Sequence, residues 1–128
     1  MQPKKIGIGI VAIIVIGIIA ASVGGSSGGA PSNAVVNNAP GSSTPGCEPD
    51  CFIPTTATIR AGGTITWMNG DTAAHTATAG TATGGPSGIF DSSLIMAGGS
   101  YSHTFEAAGT FDYFCMVHPW MSGVVIIR

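Results

Sequence analysis

The sequence predicts an all-β domain, a small β-sandwich, carried behind an N-terminal transmembrane helix. Three observations predict it. Residues 6–23, "IGIGIVAIIVIGIIAASV", form an apolar run without charge, amide or proline. From residue 52 onward, glycine and proline punctuate short runs rich in Thr, Ile, Val and aromatics that alternate with a period of two. No part of that region keeps a helical period for ten residues.

Taking the elements in order, an apolar run of that length extends about 27 Å as a helix, close to the thickness of a bilayer's hydrocarbon core. It is read as a retained anchor or as a long secretory signal, since Ala20, Ala21, Ser22 and Gly24 offer small residues where a peptidase could cut. With Lys4 and Lys5 kept on the cytoplasmic side, both versions send the rest of the chain across the membrane. The expected location is a single-pass position in the cell membrane with the domain on the extracytoplasmic side, whether periplasmic, pseudoperiplasmic or extracellular. Residues 24–46, rich in Gly, Ser, Pro and Asn and free of charge, read as a flexible tether with a reach of about 25–30 Å.

Residues 47–128 are then the domain. Within them "TATIRAGGTITWMN" reads as a hairpin about Gly62 and Gly63, with Ile65 and Trp67 on one face and Thr64 and Thr66 on the other. "TAGTATGGPSGIFDSSLIMAGG" is the least regular stretch and is expected to be loop with at most one edge strand. "GSYSHTFEAAGTFDYFC" alternates again, through Tyr101 and Phe105, then Phe111, Tyr113 and Cys115. "GVVIIR" reads as a closing strand buried on both faces. About seven short strands joined by glycine-rich turns suit a sandwich or small barrel. The whole chain has 4 basic and 6 acidic residues. That balance supplies no basic footprint for nucleic acid.

Three cysteines in an exported domain leave one over. Cys47 and Cys51 flank "EPD", a turn that could bring them to disulfide distance in an oxidising compartment. Two free thiols or a second metal site are the alternatives. Cys115 then stands alone at a strand end, followed in "CMVHPWM" by His118 and Met121 at three-residue intervals. Thiolate, imidazole and thioether are soft donors that select copper, and a trigonal copper centre with an axial methionine needs a second imidazole. His75, on the loop after "TITWMNGDTAA", is the candidate. His103 reads as structural, and Met68 and Asp71 as packing and turn residues.

"YSHTFEAAGTFDYFCMVHPWMSGVVIIR" and "GGTITWMN…AAHT" resemble the cupredoxin family, in its plastocyanin and amicyanin branch. "GIFDSSLIMAGG" is similar to a segment of membrane-anchored plastocyanin-like proteins of ammonia-oxidising archaea. The resemblance covers residues 52–128. It implies an eight-stranded Greek-key sandwich (the cupredoxin fold), one copper ion cycling between Cu(I) and Cu(II), and one-electron transfer without enzymatic turnover. It carries His75, Cys115 and His118 over as equatorial ligands and Met121 as the axial one. It also implies redox partner proteins docking on an apolar patch near His118, Pro119 and Trp120, with Met116 and Met96 as further members, and no small-molecule substrate.

Two departures from the family pattern stand out. Thr76 replaces an asparagine whose side chain ties the ligand loops together, which puts that tie in doubt. Val117 replaces a proline, which restores an N–H able to reach the Cys115 sulfur. A copper carrier, a copper-site subunit of a larger membrane complex, a Cys115 nucleophile and a structural zinc site are the rival readings. Methionine weighs against zinc.

Overall fold

A computed structural model describes residues 29–128. The membrane span expected over residues 6–23 lies outside the described residues. Among those described, no helix is long and apolar enough to cross a membrane.

Ser32–Arg128 forms a compact unit of nine strands in two sheets. The strands are β1 (Asn33–Asn38), β2 (Phe52–Ile53), β3 (Thr56–Ile59), β4 (Gly63–Asn69), β5 (Thr78–Thr81), β6 (Gly85–Asp91), β7 (Ser100–Phe105), β8 (Gly109–Phe114) and β9 (Ser122–Ile127). One sheet has the order β2-β1-β4-β7 and the other β3-β9-β8-β5-β6. Alternation in β4 buries Ile65 and Trp67 and leaves Thr64 and Thr66 on the outer face, as its period of two requires. Trp67 meets Phe90 of β6 at 5.3 Å and Tyr113 of β8 at 5.3 Å between ring centroids, so the two sheets close on a shared aromatic core.

The expected tether over residues 24–46 is corrected for its described, C-terminal part. Asn33–Asn38 pairs in parallel with β4 from Asn33↔Thr64 to Asn38↔Asn69, and Val36 is fully buried. The composition around it is polar, but strand pairing satisfies the backbone and one valine reaches the core. Val35-Val36 amid Gly, Ser and Asn was the local signal. The structure also joins Cys47 to Cys51 by a disulfide.

Three further expectations change. The hairpin about Gly62 and Gly63 does not form: β3 pairs with β9, and β4 with β1 and β7, so the chain crosses between sheets there. A side chain at Gly63 would collide with the backbone oxygen of Ser32, which explains the glycine by close approach. Residues 78–99 hold two strands, with β5 paired to β6 and to β8. In β9 only alternate residues, Gly123, Val125 and Ile127, are buried, because the strand faces the core on one side.

Candidate metal centre

Cys115 follows β8 directly, and the short segment after it returns to β9. Cys115 N–H donates to Met121 O at 3.1 Å and Met121 N–H to His118 O at 2.9 Å, which closes residues 115–121 into a tight loop. His75 comes from the connection after β4. It is pinned by a two-way bridge to Ile95, with His75 N–H donating to Ile95 O at 3.1 Å and Ile95 N–H to His75 O at 2.7 Å.

These two pieces of backbone bring three expected ligands together. His75 Nδ1 lies 3.0 Å from His118 Nδ1, and Cys115 Sγ lies 3.8 Å and 3.7 Å from them in turn. A point equidistant from the three atoms is about 2 Å from each, the length of a bond from nitrogen or thiolate to a first-row metal. His75, Cys115 and Met121 are wholly buried, and His118 is half-buried. Met121 is held in the loop that carries Cys115 and His118, between His118 O and Cys115 N–H. His103 lies apart, packed on Phe90 and Phe105.

The surroundings set which nitrogen of His75 faces the cluster and shift the titration of His118. His75 Nε2 is 2.7 Å from Asp71 Oδ2, and a carboxylate only accepts, so Nε2 carries the proton and Nδ1 is left with a free lone pair. Burial raises the Asp71 carboxyl, but hydrogen bonds from His75 and from the backbone N–H groups of Gly41 and Thr72 outweigh it and hold it at about 2. Burial, and then the neighbouring His75, push His118 below the usual imidazole range. Both effects favour a neutral His118 ring that can bind a cation.

Asp71 is therefore more than a turn residue, and it is the residue sequence reasoning missed. Its four-residue spacing from His75 was the available signal. Thr76 resolves the first departure from the family pattern. Its Oγ1 accepts from Met116 N–H at 2.9 Å and so ties the two loops, and its own N–H donates to Cys115 Sγ at 3.3 Å. That sulfur bond comes from Thr76, and Val117 makes none.

Among known proteins, a model of copper-binding proteins of the plastocyanin/azurin family matches residues 51–128. The chain belongs to that family. As a member of it, the domain takes one copper ion. Amicyanin from Paracoccus versutus is 34% identical over 65% of this chain, and the match spans only 62% of that amicyanin. Plastocyanin from Scenedesmus fuscus is 34% identical over 60% of this chain and 86% of its own length. Among solved structures, a purple cupredoxin from Nitrosopumilus maritimus has a TM-score of 0.69 at 27% identity, covering 74% of this chain and 99% of that one.

The cupredoxin chain leaves apolar side chains exposed beside the cluster. Leu94 and Met96 flank Ile95, and Met116, Val117 and Pro119 project from the loop of residues 115–121. Trp120 is half-buried instead, with its ring 5.4 Å from His118 and Nε1–H donating to Ser42 O at 2.9 Å.

Proposed function

We propose that this protein is a one-electron carrier in which His75 Nδ1, Cys115 Sγ and His118 Nδ1 would hold a copper ion, with the Met121 thioether as a fourth, weaker donor. The observation that carries the reading is the compact triangle of two imidazole nitrogens and one thiol sulfur, with the buried Met121 on the same loop as two of them. Copper supplies a reversible Cu(I)/Cu(II) couple. The protein supplies donors fixed by two hydrogen-bonded loops, so little has to move when the charge changes. Four protein donors leave no position for a substrate, which argues for electron transfer and against enzymatic turnover.

His118 is the half-buried member of the set, and the exposed Met116, Val117 and Pro119 surround it in sequence. Partner redox proteins dock on this rim, near His118, Pro119 and Trp120, through a small and transient apolar contact. With so few charges, such docking depends weakly on salt. The same reading keeps the domain on the extracytoplasmic side, tethered through residues 6–23, on the strength of the uncharged run and the two lysines before it. Membrane fractionation with protease protection tests that part; a domain shielded with the cytoplasmic contents would refute it.

The central test is an absorption spectrum of the full chain after one equivalent of Cu(II), then after ascorbate. An intense thiolate-to-copper band that bleaches on reduction and returns on oxidation is expected. Tight binding without that band would reject the carrier function and favour copper storage.

A further inference from the structure

Two features converge on one side of the cluster. Asp71 is buried, and both its carboxylate oxygens are engaged: Oδ2 accepts from His75 Nε2–H at 2.7 Å and Oδ1 from Gly41 N–H at 2.9 Å. Its backbone N–H donates to Asn69 Oδ1 at 2.9 Å, while Asn69 Nδ2 donates to Ala73 O at 2.8 Å and to Ile95 O at 2.9 Å. The acid is thus fixed from two directions. Gly41 belongs to the segment after β1, which lies before the residues that match the family model. That segment also holds Trp120 through Ser42 O, at the far end of the loop bearing His118.

We infer that Asp71 is a positioning residue for the copper ion, acting through His75. A carboxylate on the outer nitrogen of an imidazole fixes the tautomer and makes the inner nitrogen a stronger donor. The negative charge stabilises Cu(II) more than Cu(I), so it lowers the reduction potential. Gly41 takes part by donating its N–H to the second oxygen, which stops the carboxylate from rotating away from His75. The inference rests on the copper reading given above.

Asp71→Asn tests it with little change of shape. His75 and Gly41 donate to different oxygens, and an amide replaces one of those oxygens by an NH2 donor, so one of the two bonds is lost. The ratio of Cu(II) to Cu(I) affinity is expected to fall about tenfold, a rise of about 59 mV in the potential of a one-electron couple. Wild-type protein that binds no copper would overturn the copper reading itself, before any variant is compared. A variant that keeps the thiolate-to-copper band with an unchanged or lower potential would overturn the role of Asp71 alone. A purely structural role would lower the melting temperature without moving the potential.

Should Asp71→Asn fail to fold, the proton on His75 can be read in the wild-type Cu(I) protein by nitrogen-15 NMR. A slowly exchanging, downfield Nε2–H is expected. A proton on Nδ1, or a rapidly exchanging Nε2–H, would overturn the inference.

Discussion

Thr76 shows how far one side chain can be read from sequence. The family pattern made its hydroxyl a doubtful substitute for an amide, yet Oγ1 accepts from Met116 N–H across 40 positions of chain. Nothing near Thr76 in the sequence reports that distance. Thr76→Val keeps the shape and removes the acceptor, leaving a part-buried N–H unpaired at a cost of about 1–3 kcal/mol. We expect a lower melting temperature and faster loss of copper to a chelator. Thr76→Asn restores an acceptor and should recover most of the loss; equal damage from both variants would refute the hydrogen-bond account.

At the scale of elements, β1 is the strand that composition concealed. If residues 33–38 were tether, both of its valines would be indifferent to truncation. Val36 is fully buried whereas Val35 is half exposed. Val36→Ala should therefore cost about 1–3 kcal/mol and Val35→Ala less than about 0.5 kcal/mol, read from urea midpoints. Equal effects would mean that β1 does not dock in solution. The hairpin expected about Gly62 and Gly63 failed for a related reason. Alternation marks strands, but both flanking runs alternate equally well whether they pair together or with others. β3 and β4 found partners in β9 and β1, and the turn became a crossover.

For the whole molecule, the aromatic core carries a pH dependence. Burial pushes the Tyr113 phenol above its ordinary value, and its hydroxyl has no hydrogen-bond partner among the described residues. A raised folded pKa means that this contribution is intact below about pH 10 and is lost as pH rises from there toward the folded value. Copper-free protein should accordingly weaken by about 1.4 kcal/mol per pH unit above about pH 10. Tyr113→Phe should flatten that limb at little cost near neutrality. Gly123 faces the same ring, and a Cβ there would come within 2.5 Å of it, so Gly123→Ala should be markedly destabilising in a thermal melt. A tolerated alanine would show that the ring can move aside.

By itself the sequence determined the residue types and spacing of the cluster, the alternation that makes this an all-β domain, and the pairing chemistry of Cys47 and Cys51. Those are local properties, set by neighbours a few positions apart. Only the tertiary structure decided that His75 meets His118, that Thr76 ties the loops, that residues 33–38 add a strand, and that Asp71 stands behind His75 with Gly41 holding it. Each of these depends on which distant segments close together. Strand alternation is the same for many partners, and backbone hydrogen bonds carry no label of sequence, so the choice among partners falls to packing of the assembled core.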